Sequence, residues 1–131
     1  MYQKKYDLII ICLPPDQLLK ILYFLKDLDT NIFTEKPLGL NLLEAKKILN
    51  LYKIRKHKKM KFFVGYNRRF LESVMQLKKL AYKNTSKLFI DIQDQQDLGI
   101  AASLGHNKEI LDNWMYANSI HTIDFLNFLS K

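Results

Sequence analysis

An α/β fold is predicted here on three grounds. Apolar runs rich in Ile, Leu, Val and Phe alternate with stretches of helical periodicity, prolines and glycines punctuate the junctions, and the alternation holds through residue 82. That order implies a right-handed parallel layer followed by the opening of a second subdomain. Asp7 to Leu13 is a continuous apolar run closed by Pro14-Pro15, the pattern of a parallel strand buried on both faces. From Asp16, a candidate N-cap, Leu18, Leu19, Ile21, Leu22, Leu25 and Leu28 recur at helical spacing to about Asp29. Asn31 to Thr34 is the second strand. Pro37-Leu38-Gly39 then turns into a helix capped by Asn41, with Glu44 completing a capping box and Leu42, Ala45, Ile48, Leu49 and Tyr52 as its apolar face.

Met60 to Val64 is the third strand, closed by Gly65, and a helix from about Arg68 to Tyr82 is expected to bury Phe70, Val74, Leu77 and Leu80 or Ala81. The period then changes. Lys87 to Gln93 alternates Leu88, Ile90 and Ile92 with polar neighbours, as a half-exposed strand of a different sheet does. Asp97 to Asn113 reads mostly as loop, and Asn118 to Leu129 as a helix with Ile120, Ile123, Phe125, Leu126 and Leu129 apolar.

The 131 residues suit one domain, and 48% hydrophobic with 26% charged residues is the balance of a soluble globular protein. No stretch approaches the ~18 apolar residues of a membrane span. Met1 to Asp7 leads into only the short run Leu8 to Leu13, so no signal peptide is expected and the expected location is the cytoplasm. The single cysteine, Cys12, excludes an intrachain disulfide and a cysteine metal site, and its place in a strand predicts a buried, inert thiol. A net charge of +8 and the run Lys53, Arg55, Lys56, His57, Lys58, Lys59 and Lys61 raise the question of nucleic acid. The run starts on the last turn of a helix, where cations complement the dipole, so a solvated helix end is the favoured reading.

Glu35-Lys36-Pro37 directly follows the second strand, and the carboxyl ends of strands are where an open α/β sheet keeps its chemistry. Alone, it reads far more readily as a surface lysine before a proline turn. Pro14-Pro15 serves as a strand terminator, and Asn67, Arg68 and Arg69 can cap a helix or pair with surface acids. His121 and Asp124, three apart, share a helical face. Taken in order, Pro14-Pro15, Glu35-Lys36-Pro37, Gly65-Tyr66-Asn67-Arg68-Arg69-Phe70 and His121-Thr122-Ile123-Asp124 resemble the Gfo/Idh/MocA family of NAD(P)-dependent sugar oxidoreductases. The resemblance runs from Asp7 to Leu129 and spans a middle portion of the family's usual length.

The resemblance implies the C-terminal half of a Rossmann-like parallel sheet over residues 1–83, followed over 84–131 by the start of a mixed α+β substrate domain. It implies hydride transfer between a sugar or nucleotide-sugar hydroxyl carbon and the nicotinamide of NAD or NADP. Lys36 and His121 would be catalytic; Pro14, Pro15, Glu35, Pro37, Asn67 and Arg68 would lie on the cofactor; Lys36, Asn118, His121 and Asp124 would meet the substrate. Pro37 would fix its turn through a cis bond. No metal site is implied. Many members place a carboxylate four residues before the histidine, where this chain has Ala117. Gly39, Gly65, Gly99 and Gly105 do not form the Gly-x-Gly-x-x-Gly fingerprint that lets pyrophosphate approach a helix N-terminus. Weak cofactor binding and little activity alone are therefore expected. The expected partners are the sugar and either a second copy or a complementary fragment, with membrane and nucleic acid not expected. The alternative is a non-catalytic interaction protein or one subunit of a split enzyme.

Overall fold

The computed structural model describes residues 6–55, 60–83 and 89–130. Leu8–Ile11 (β1), Asn31–Glu35 (β2) and Phe62–Gly65 (β3) form a parallel sheet in the order β1-β2-β3. Ile9 pairs with Ile32 and Ile11 with Thr34; Thr34 pairs with Val64 and Glu35 with Gly65. All three strands therefore end at one level. Pro15–Phe24 (α1) connects the first two and Leu42–Arg55 (α2) the second pair. The core lies between sheet and helices, where Ile11 and Ile32 meet Leu18, Leu22, Leu25 and Ile48.

β1 corrects the expectation of a strand buried on both faces. Leu8 and Ile10 are 47% and 63% exposed, and Phe33 and Phe63 continue that bare face. The cause is topological. Right-handed crossovers in an unreversed strand order put both helices on the same side of the sheet. Cys12 is likewise exposed instead of buried, because β1 stops at Ile11. Pro14, not Asp16, is the N-cap residue of α1, leaving Asp16 in the first turn where its charge suits the dipole.

The α2 cap forms as expected. Glu44 N donates to Asn41 Oδ1 at 3.0 Å, and Glu44 Oε2 reaches back to accept from Leu40 N at 2.9 Å. Gly39 is required for this entry: its φ is 92°, and a Cβ there would stand 2.8 Å from Glu44 Cβ. The apolar face is narrower than expected, with Ile48 buried but Leu42 and Leu49 exposed. Lys56 to Lys59 of the basic run fall outside the described residues, while Lys53 and Lys61 are exposed.

The helix expected from Arg68 to Tyr82 divides into a 3₁₀ turn, Asn67–Phe70, and Glu72–Lys83 (α3). Leu71 is extended at the break, which turns Phe70 outward to 78% exposure. Val74 is buried, but Leu77 and Leu80 are not. Residues 89–97 form no strand, and Leu88 lies outside the described residues. An alternating segment needs a neighbouring strand to define it, and the described residues supply none. The stretch expected as loop instead holds Leu98–Ser103 (α4), Lys108–Asp112 (α5) and Trp114–Ala117 (α6), the first two capped by Asp97 and Asn107 side chains. Ile120–Leu129 (α7) follows. It buries its polar stripe, His121 and Asp124, while Ile123 and Leu126 remain exposed.

Candidate active site

The level strand ends bring three of the sequence motifs to one rim. Pro14-Pro15 leaves β1, Glu35-Lys36-Pro37 leaves β2 and Tyr66-Asn67-Arg68 leaves β3. Gly65 keeps the rim open to Phe33, since a Cβ there would approach the Phe33 ring to 3.2 Å. The Lys36-Pro37 bond is cis. α7 supplies His121 from the opposite side. Lys36, Asn67, Arg68, Phe70, Leu71 and His121 line a cavity of about 380 Å³.

Lys36 Nζ donates to the Ala117 carbonyl at 2.9 Å. At position 117, whose side chain is a methyl group, the backbone thus supplies the lysine's acceptor. Burial holds the Lys36 amine below its ordinary value, with Arg68 adding to the effect and Glu35 opposing it. Burial, then Lys36 and Arg68, also holds His121 down against Asp124 and Glu35. His121 is 4% exposed, and its Nδ1 is buried without a hydrogen-bond partner among the described residues.

The adjacent arginines, inseparable by sequence, have different partners. Arg69 Nε donates to Asp124 Oδ2 at 2.6 Å and its Nη2 to Asp124 Oδ1, while its guanidinium lies over Tyr66 and Phe128. Tyr66 in turn meets His121 edge-on at 6.5 Å. Burial and Asp124 push the Tyr66 hydroxyl above its ordinary value. Arg68 is exposed and faces the cavity. Asp124 therefore joins the Arg69 fork, whereas Lys36, Asn67, Arg68 and His121 come together.

A second cavity of about 500 Å³ lies on the other side of Lys36, lined in part by Pro14, Pro15, Pro37, Asn118 and Trp114. Asp16 also lines it, with Oδ2 accepting from Asn107 Nδ2 at 3.3 Å and Oδ1 buried without a protein partner among the described residues. A network missed by the sequence reading braces this side. Gln96 Oε1 accepts from Trp114 Nε1 at 3.1 Å and from Asn118 Nδ2 at 2.6 Å, and Asp94 accepts from Gln96 and Thr122. Hydrogen bonding from the Ser119 side chain, with that from Gln96 and Thr122, holds the Asp94 carboxyl below the usual range. The only advance sign of Asp94 and Gln96 was polarity at the end of an alternating run.

No family model and no curated protein matches this sequence. Solved structures do, two of them as follows. The apo scyllo-inositol dehydrogenase from Lactobacillus casei superposes with a TM-score of 0.66 at 22% identity, covering 94% of this chain and 35% of that one. A chain from Sinorhizobium meliloti 1021 assigned as a myo-inositol dehydrogenase gives 0.61 at 23% identity, covering 94% and 36%. At these identities the likeness establishes a shared fold, and the present chain spans about a third of either protein. Among the described residues no helix is long and apolar enough to cross a membrane.

Proposed function

We propose that this chain carries the nicotinamide-side and hydroxyl-side residues of a Gfo/Idh/MocA-type oxidoreductase acting on a sugar or nucleotide-sugar hydroxyl. The observation that carries this reading is the meeting of Lys36 and His121 in one cavity at the carboxyl rim of a parallel sheet. Residues 1–83 are then the nucleotide-binding portion and residues 84–131 the start of the substrate domain.

A nicotinamide ring, when bound, would accept the hydride. Lys36 takes the hydroxyl proton: its half-buried amine, held below its ordinary value, has a larger neutral share to act as base. The Ala117 carbonyl aims that amine. His121, neutral near pH 7, gives a second proton-accepting position. Asn118 lines the second cavity with its amide held by Gln96, and Asp124 orients α7 through Arg69. Pro14, Pro15 and Pro37 border the second cavity, the space for the cofactor, while Asn67 and Arg68 line the Lys36 cavity and Glu35 flanks Lys36 in the chain. That space has an acceptor to offer, the unpartnered Asp16 oxygen, suited to a ribose hydroxyl or a carboxamide. No glycine pattern in the chain cradles a pyrophosphate.

The fitting test compares NADH with reduced nicotinamide mononucleotide by saturation-transfer NMR. Both should bind weakly with dissociation constants within about threefold, under ~0.7 kcal/mol apart, because the adenylate half finds no grip. Transfer to neither at millimolar concentration, or to both equally after Lys36→Ala and Asp16→Ala, would overturn the reading. Oxidation of sugars with NAD or NADP is expected to be slow and abolished by Lys36→Ala. The bare sheet face favours a second reading, that the chain acts as an interaction protein or as one subunit of a split enzyme.

A further inference from the structure

The cavity at Lys36 has an unbalanced lining. Of the six described residues that line it, Lys36, Arg68 and His121 are basic, Asn67 adds an amide, and none carries a carboxylate. The nearby acids stand outside that lining and have hydrogen-bond donors of their own. Asp124 takes both donors of the Arg69 fork, Asp94 accepts from Thr122 and Gln96, and Glu35 accepts from the Lys36 backbone at 3.3 Å. Lys36 and Arg68 converge on the cavity as cations with one acid near each, Glu35 and Asp94, outside the lining, so a bound anion would meet two positive charges and no lining carboxylate. The neighbouring cavity contrasts with this one, since Asp16 gives it a carboxylate of its own.

We infer that the Lys36 cavity takes a sugar bearing an anionic group, a carboxylate or a phosphate, with Arg68 gripping the anion beside the reacting hydroxyl. This rests on the oxidoreductase reading and names its substrate class. Arg68 suits the role because a guanidinium fork matches the paired oxygens of either group, and because Asp124 is committed to its neighbour Arg69. Phe70 and Leu71 offer apolar surface for the sugar ring, and the buried, unpartnered His121 Nδ1 is left for a ligand hydroxyl.

The experiment needs no cofactor, so it fails independently of the nicotinamide reading. The chain is labelled with ¹⁵N-histidine and titrated, at fixed ionic strength, with D-glucose, D-glucuronate, D-glucose 6-phosphate and inorganic phosphate, following the His121 imidazole. At least one charged sugar should bind about tenfold or more tighter than glucose, in keeping with a charge-assisted contact. The preference for glucuronate over glucose 6-phosphate, or the reverse, identifies the anion. Arg68→Gln, a change at an exposed side chain, should abolish the preference and Arg68→Lys keep part of it. Equal affinity for glucose and both charged sugars, a preference that survives Arg68→Gln, or inorganic phosphate binding as tightly as the charged sugars would overturn the proposal.

Discussion

Arg69 and Asp124 form an asymmetric pair, and the asymmetry sets what each deletion costs. The Asp124 side chain is 8% exposed and the Arg69 side chain 35%. Removing Arg69 strands a buried carboxylate, whereas removing Asp124 leaves a guanidinium that water reaches. Arg69→Ala should therefore destabilise by about 1–3 kcal/mol, and Asp124→Ala by less, once partial exposure is allowed for. Urea unfolding of the two variants checks the order. His121 adds a pH dependence. Its folded pKa lies below its ordinary value of 6.5, so the unfolded chain binds more protons in that interval and stability falls as pH drops through it. His121→Gln should flatten the decline between pH 7.5 and 5.5, read as urea midpoints at the two pH values; an unchanged slope would remove His121 as its source. Much of this site was visible beforehand as residue types near turns: Lys36, His121, Asn67 and Arg68 share a cavity. What could not be read was partnership. Nothing in Arg68-Arg69 says which one Asp124 takes, and Gln96, Trp114 and Asn118 meet only through the fold.

At the scale of elements, the entry to α2 concentrates several local signals in one turn. Gly39 supplies the positive φ, Asn41 accepts from Glu44 N and Glu44 returns the bond to Leu40 N. Asn41→Ala should cost about 1 kcal/mol, the usual worth of an N-cap, and Gly39→Ala should cost more because strain and a 2.8 Å approach add together. Thermal unfolding of both measures the order, and equal melting shifts would count against the strain. Such local devices explain why β1, β2, β3 and α2 were legible, for each rests on a run and a turn read within a few residues. The failures share another cause. α3 loses its first turn to the 3₁₀ segment because Leu71 is extended, α4 and α5 are too short to show a period, and Ile90 and Ile92 alternate beside no strand. α7 keeps Ile120, Phe125 and Leu129 half-buried but gives its most buried positions to polar residues. Its apolar Ile123 and Leu126 face outward because the Arg69 fork and the Tyr66 edge draw Asp124 and His121 inward.

At the scale of the whole molecule, the strand order decides which surfaces need company. Because β1, β2 and β3 follow in one direction, α1 and α2 cover one face, and the described residues put nothing over Leu8, Ile10, Phe33 and Phe63 on the other. Parallel sheets are ordinarily covered on both faces. A second apolar surface lies between α3, α7 and residues 89–92, where Leu77, Phe89, Ile90 and Phe125 surround about 410 Å³. The Lactobacillus casei and Sinorhizobium meliloti structures that share this fold are about three times longer, so their extra length has room for such covering layers. Studied by itself, the chain should therefore bind an apolar dye such as ANS and associate with rising concentration, its net charge of +8 notwithstanding. Ile10→Glu with Phe63→Glu should reduce both effects while leaving the melting temperature within a few degrees, because neither side chain belongs to the Ile11, Leu22 and Ile32 core. Dye fluorescence and sedimentation velocity read the two effects separately. If dye binding persists in that variant but falls on Leu77→Glu, the surface between α3 and α7 is the sticky one and the bare sheet face is not.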